Sequence, residues 1–508
     1  MPESQPDIVR GGGMERRVAV SRLPAKYPAL APYHPSSPYP ELRGRIPAGV
    51  EVEANPVYAA VRQSLALMGM DAAHQGTPDW NPLSQLIQPG DRVLLKPNLI
   101  RASHAHRTDE WEQILTHGSV IRAALDYVFL ALGGRGSIVI ADGPQTDSDF
   151  AAIVARLGLA EIREFYRREL GFSIELLDLR NEHWIERQGV IVGVEKQPAD
   201  PNRTTLVDLA RHSMFAGVER AQPLYGAFYD IEETNRQHSH GRHNYAFSRR
   251  ALESDVVINL PKLKTHKKTG VTISLKNLVG LNTNKNLLPH YTFGCPETGG
   301  DQYADGRVAH RIENGLVIRM KQLLLKQNPV ARTLARKAKN LGYRIFGDTE
   351  SVVRSGNWYG NDTVWRMVLD LNRILFYAEP LGTVSAERRR RYLSIVDAVI
   401  AGDGNGPVAA RPFPAGMIIA GTNPVAVDAT SARLMGFDWR KIPTIARAFE
   451  AHQLPLIDFG WEEIEIVASD PGLTRQALDR GLMVHRFRPH FGWTGHIEWE
   501  AERARRTA

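Results

Sequence analysis

Residues Asp255–Gly280 read DVVINLPKLKTHKKTGVTISLKNLVG. The stretch opens as a short apolar strand, Val256-Val257-Ile258-Asn259-Leu260. Pro261 ends it, because proline fixes φ and has no N–H to give to a sheet ladder. Lys262, Lys264, His266, Lys267 and Lys268 crowd into the next few residues, with Lys276 and Asn277 a little further on. In an open α/β sheet, ligands bind at the carboxyl ends of strands, and cations gathered there favour an anionic one. Extended chain alternates its side chains, so Lys262 and Lys264 share a face and repel unless an anion or carboxylates lie close. His266 adds an imidazole suited to proton exchange near neutral pH or to metal ligation. Ser274-Leu275-Lys276-Asn277 reads as part of a helix returning toward the same loop.

Outward from this stretch, strands and helices alternate. Arg17–Leu23 reads as a first strand, followed by a proline-rich irregular arm to Pro47. Val57–Met68 carries apolar residues at helical spacing, and a Gln88–Asp91 turn leads into the strand Arg92–Lys96. Val120–Leu132 predicts a helix and Ser137–Ala141 the strand after it. Ser394–Ile400, the strand Met417–Gly421, the helix Val425–Met435 and a late strand Glu463–Val467 resume the pattern. This alternation predicts an α/β fold, a mostly parallel sheet core with helices on both faces. Two insertions interrupt it. The expected organisation is an irregular arm over 1–50, core over 51–158, an insertion or lid over 159–250, the lysine-rich core motif over 251–287, a basic insertion over 288–391 and the rest of the core over 392–508.

Three further strand ends carry polar residues. In Val93-Leu94-Leu95-Lys96-Pro97-Asn98, Pro97 holds Lys96 extended, leaving a point charge for phosphate or carboxylate with Asn98 as a neutral partner. Ile138–Asp142 ends in a carboxylate before Gly143-Pro144, which suits a metal ligand, a general base or a turn former. Asp403-Gly404-Asn405-Gly406 reads as a tight loop with two oxygen side chains, able to hold Mg²⁺ or Mn²⁺ or to offer N–H groups to an anion. Asp428, near the start of a helix, either completes an acidic cluster or interacts with the helix dipole. His238-Ser239-His240-Gly241-Arg242-His243 offers imidazoles for a softer metal.

Composition limits the rest. The single cysteine, Cys295, rules out an internal disulfide, a cysteine-ligated iron–sulfur cluster and a four-thiolate zinc site. No GxxxxGK[ST], HExxH or GxSxG pattern occurs. The net charge of +7 favours anionic partners. Much of the excess lies in Arg388-Arg389-Arg390-Arg391 and along 319–344, which reads as a solvated helix face or a contact with an anionic membrane surface. Nucleic acid is not expected, since the basic stretches lack interleaved aromatics. No apolar run approaches the roughly 18 residues of a membrane span, and the first residues lack a signal-like apolar core, so the expected location is the cytoplasm.

The blocks LLKPNL, IVIADGP, VVINLPKLKTH with SLKNLVG, and IVDAVIAGDGNGPV followed by NPVAVDATSARLMGFD resemble the family called domain of unknown function 362, in that family's order. They fall in 90–150, 250–285 and 393–440. The resemblance implies that Lys96, Asn98, Asp142, Lys262, Lys264, His266, Lys276, Asn277, Asp403, Asn405 and Asp428 match its recurring blocks; it implies no reaction, because the family has no general assigned activity. Some relatives add a ferredoxin-like segment, which a chain with one cysteine lacks.

These residues together predict an enzyme acting on a small anionic substrate with a divalent metal, in phosphoryl or acyl transfer or ligation. Lys96, Asn98, Lys262, Lys276 and Asn277 would bind substrate; His266, Asp142 and Lys264 would act in catalysis; Asp403, Asn405 and Asp428 would hold Mg²⁺ or Mn²⁺. Two alternatives stand beside it: a metal-dependent isomerase or racemase of a hydroxy acid, built on His266 with the 238–243 histidines, and a binding or scaffold protein at a membrane surface.

Overall fold

The computed structural model describes residues 15–47, 54–187, 190–196, 203–227, 230–306, 352–482 and 484–499. Ten strands form one large sheet: β1 (Arg17–Arg22), β2 (Arg92–Pro97), β3 (Ser137–Asp142), β4 (Ile174–Asp178), β10 (Val256–Leu260), β11 (Lys262–His266), β12 (Gly270–Thr272), β14 (Arg391–Asn405), β15 (Ala409–Gly421) and β16 (Glu465–Ala468). The others pair off: β5 (Glu182–Arg187) with β6 (Val190–Lys196), β7 (Thr204–Asp208) with β9 (Asn244–Ser248), and β8 (Leu224–Gly226) with β13 (Pro289–Thr292).

The large sheet runs β16-β1-β15-β14-β10-β2-β3-β4, with β11 against β14 and β12 against β11. From β14 to β4 all neighbours are parallel, and only β1–β15, β14–β15 and β11–β12 are antiparallel. The expected mostly parallel α/β sheet is what forms.

Strand alternation sends successive side chains to opposite faces. Val93, Leu95, Ile138, Ile140, Val256 and Ile258 pack with the helices Pro56–Leu67 and Gly118–Leu132. Leu94, Val257, Val396 and Ile419 pack on the other face with the helices Val364–Tyr377 and Pro424–Leu434. Each such side chain sealed from water stabilises the fold by about 1.5–3 kcal/mol. Local signals set the helix ends. The Asn423 side chain accepts from the N–H groups of Val425 and Ala426, with Pro424 in the first turn, and Gly133 (φ +57°) ends the helix Gly118–Leu132.

Three features differ from the sequence reading. The stretch 159–250 is not wholly an insertion, since β4 is the edge strand of the large sheet. The stretch 288–391 supplies the buried helix Val364–Tyr377. Asp403-Gly404-Asn405 is not a loop: the β14–β15 ladder continues through Asp403↔Arg411 to Asn405↔Ala409, and cross-strand pairing overrides the turn propensity of Asp, Gly and Asn. The proline-rich arm is irregular as expected but packed down; the Tyr27 ring stacks on His117 at 4.0 Å and its hydroxyl donates to Asp397 at 2.7 Å. The arginine run is also taken up internally. Arg390 is buried and donates to the carbonyls of Ala251, Leu252, Leu375 and Ala378, and Arg391 pairs with Asp91. The basic 319–344 segment lies outside the described residues. No helix among the described residues is long and apolar enough to cross a membrane.

Candidate functional site

From β2 the chain steps to β3 and β4 in one direction, while β10 and β14 lie on the other side of β2. Connections diverge at such a reversal and leave a crevice at the carboxyl ends of the strands. A cleft of about 470 Å³ opens here, with Asn98 beyond β2, Asp142 at the end of β3, His266 at the end of β11, and Lys276, Asn277 and Lys285 from the turns that follow β12. β8 and β13 close one wall with Tyr225, His290 and Tyr291.

The lysines fall into two groups. Lys96, Lys262 and Lys264 are buried and act inside the protein. Lys96 pairs with Asp142 at 2.7 Å and donates to the Pro97 carbonyl at 2.8 Å. Lys262 pairs with Asp397 at 2.9 Å and touches the Tyr27 hydroxyl at 2.6 Å. Lys264 has no carboxylate partner among the described residues and donates to Asn98 Oδ1 at 3.1 Å and to the Ile114 carbonyl at 2.6 Å. Burial lowers the pKa of all three, and for Lys264 the neighbouring lysines push it further down. None of the three lines the cleft. The alternation of β11 does put Lys262 and Lys264 on one face, but Asp397 and the Asn98 side chain sit there.

The second group faces the cleft. Lys276 and Lys285 are only partly buried, yet burial and then their fellow lysines bring both pKa values to about 8. Lys285 donates to the Gly143 carbonyl at 2.9 Å. Among the described residues, no hydrogen bond or ion pair reaches the Lys276 ammonium. Lys268 crosses the Tyr291 ring at 4.6 Å and donates to the Ser355 carbonyl at 2.5 Å. Asp142 is a carboxylate that acts on both Lys276 and Lys285, and it is engaged already. Its Oδ1 also accepts the Gly143 N–H at 2.8 Å and its Oδ2 the Leu99 N–H at 2.7 Å. Asp142 therefore anchors the strand ends and Lys96, in place of the general-base role expected of it.

Two imidazoles line the same cleft. His266 Nδ1 accepts the N–H groups of Lys268 (3.0 Å) and Thr269 (3.2 Å). His290 Nδ1 lies 2.8 Å from the Leu288 carbonyl, so it is the nitrogen that carries hydrogen. Burial first, and the surrounding lysines next, hold both well below the usual histidine pKa.

The floor is a chain of amides. Asn98 Nδ2 donates to Asn277 Oδ1 at 2.8 Å, and Asn277 Nδ2 donates to Asn259 Oδ1 at 2.7 Å and to the Lys96 carbonyl at 3.0 Å. This fixes Asn98 and Asn277 at the cleft surface. Gly280 lets the Ser274–Leu281 turn close over them: a Cβ there would stand 1.8 Å from Asp142 Oδ1.

The expected metal set is not assembled. Asp403 is taken by Arg488, through the backbone N–H at 2.5 Å and the guanidinium at 2.6 and 2.7 Å. Asp428 accepts the N–H groups of Ser274 (2.7 Å) and Leu275 (3.1 Å), next to Ser394 near the start of β14, whereas Asp403 and Asn405 lie at its far end. Burial raises the Asp428 pKa to about 7. The described residues hold no group of three or more His, Cys, Asp or Glu placed for a metal ion. His238, His240 and His243 line a separate pocket with Arg220 and do not join His266. Cys295 is buried.

Lys285, His290 and Gly280 escaped the sequence reading. Nothing in TNKN or LPHYT marks a site, because these residues reach the cleft only through tertiary packing: Gly280 and Lys285 meet Gly143 just past the end of β3, and His290 comes from β13.

Residues 185–433 match the family model described as Domain of unknown function (DUF362), the family whose blocks the sequence resembles. It holds β10, β11, the Ser274–Leu281 turn, β14 and β15; the β2 and β3 blocks precede it. No curated protein matches the chain. Among solved structures, a crystal structure of a protein from Thermotoga maritima is similar at 10% identity over 69% of this chain, with a TM-score of 0.28. The match covers 53% of that protein, about half its length.

Proposed function

We propose that this protein is an enzyme whose cleft binds a small anionic substrate, a phosphate or carboxylate compound, for a transfer or ligation reaction. The observation that carries the reading is the Lys276 ammonium, which faces the cleft without a protein acceptor among the described residues and beside Lys285. Two unit charges about 4 Å apart at an effective dielectric of 20 interact by about 4 kcal/mol, so cations held close are costly until an anion joins them. Asn98 and Asn277 would add neutral hydrogen bonds to its oxygens. Lys264, one layer behind, would support the field without touching the substrate. Mg²⁺ or Mn²⁺ enters this reading only as a companion of the substrate's own oxygens.

The test is thermal unfolding with inorganic phosphate, nucleotides, sugar phosphates and hydroxy acids, each with and without Mg²⁺ and Mn²⁺. A ligand at a hundredfold its Kd adds about 2.7 kcal/mol, a readable rise in Tm. The expected result is a rise with one class of anion that Lys276→Gln abolishes. A rise of the same size in Lys276→Gln, or none with any anion, overturns the reading.

A further inference from the structure

His266 and His290 stand in the same cleft with their free nitrogens in opposite hydrogen-bonding states. Two backbone N–H groups point at His266 Nδ1, so that nitrogen is an acceptor and the hydrogen of the neutral ring sits on Nε2. The Leu288 carbonyl faces His290 Nδ1, so that nitrogen is a donor and His290 Nε2 keeps its lone pair. Among the described residues, neither Nε2 has a hydrogen-bond partner. The backbone therefore sets one imidazole to give a hydrogen bond and the other to take a proton.

We propose that His290 Nε2 is the proton acceptor of this site and His266 Nε2–H the donor that stabilises the charge left behind, an assignment that rests on the anionic-substrate reading above. A substrate O–H or C–H next to the anionic group gives its proton to His290 Nε2. The electron pair of that bond stays on the substrate as an oxyanion or enolate oxygen, which accepts the hydrogen bond from His266. His290, now an imidazolium with hydrogen on both nitrogens, returns the proton to the product. No electron leaves the pair of reactants, and no oxidant or reductant is needed. Lys264, Lys267, Lys268, Lys276 and Lys285 surround the two rings. Without a ligand, burial and then these cations keep both imidazoles neutral; a bound anion offsets the cations and makes His290 the stronger base when substrate is present.

Nitrogen-15 spectra of the full chain labelled at its histidines read the tautomers directly, with no knowledge of the substrate. His290→Gln and His266→Gln identify the two rings, and His290→Asn and His266→Asn serve where a glutamine variant does not fold. The expected spectra at pH 7 show hydrogen on Nδ1 alone for His290 and on Nε2 alone for His266. Either ring in the other tautomer, or doubly protonated, overturns the assignment. Inorganic phosphate added to the same sample should move both sets of signals and raise the pH at which His290 titrates. Correct tautomers with no response to phosphate support the pair and count against the anionic cleft, so the two failures are distinguishable.

Discussion

The Lys96 ammonium lies 2.7 Å from the Asp142 carboxylate, with both side chains all but sealed from solvent. The pair ties the end of β2 to the end of β3, and through the Leu99 and Gly143 N–H groups it fixes the backbone of both strand exits. The cleft is built on a neutralised salt bridge, and its cationic character comes from residues further along the chain.

Removing one partner of such a buried pair costs about 3–5 kcal/mol, because the other charge stays buried alone. Lys96→Met and Asp142→Asn should each lower stability to urea by that order, and the double variant by much less than the sum. Additive losses in the double variant would show that the two groups do not act as a pair.

Gly280→Ala should be destabilising despite its small size. The added Cβ would meet Asp142 Oδ1 at 1.8 Å and Lys96 Cε at 3.0 Å, so the turn must move off the strand ends. Overpacking of this kind costs about 1–3 kcal/mol. Urea unfolding gives the value, and a variant as stable as the parent would contradict the close approach.

Lys276 and Lys285 give the protein a pH signature. Their folded pKa values, about 8, lie below the ordinary lysine value of about 10.4. Below about pH 8 folded and unfolded chains both hold these protons, and the unfavourable interaction is present in full. Between about 8 and 10.4 the unfolded chain holds protons that the folded chain has released, so these two groups favour folding increasingly as pH rises. The stability slope over pH 8–10 should therefore become less positive in Lys276→Gln and Lys285→Gln than in the parent. An unchanged slope would mean that neither lysine is depressed. Affinity for phosphate, read by calorimetry, should fall roughly tenfold over the same interval as the cleft loses its charge.

Asp403 separates a structural role from a metal-binding one. Asp403→Ala should cost about 1.5–3 kcal/mol through loss of its charged hydrogen bonds to Arg488. Phosphate affinity, with or without Mg²⁺, should stay within a factor of two. A selective loss of Mg²⁺-dependent binding in Asp403→Ala would restore this aspartate as a metal ligand.

Much of the fold could be read from local pattern. The apolar run Val256–Leu260 followed by Pro261, the helical spacing over Val57–Met68, and the strand–helix–strand order through Ser137 each report a period that backbone geometry imposes on its own. The strand ends carrying Asn98, Asp142 and His266, and the helical turn with Lys276 and Asn277, could be found the same way, because residues after Pro, Gly or a strand terminus are announced locally. The sequence alone thus determined the α/β class and the end of the sheet where polar residues gather. Only tertiary structure decided what each polar residue faces. Lys96 and Lys262 carry the same motif signature as Lys276, yet Asp142 and Asp397 neutralise the first two, whereas Lys276 forms no ion pair among the described residues. Asp403 met an arginine 85 residues away, and His290 entered the cleft from a strand in a different sheet. The physical reason is that a side chain's charge, tautomer and access depend on partners distant in sequence, and local propensity holds no record of them.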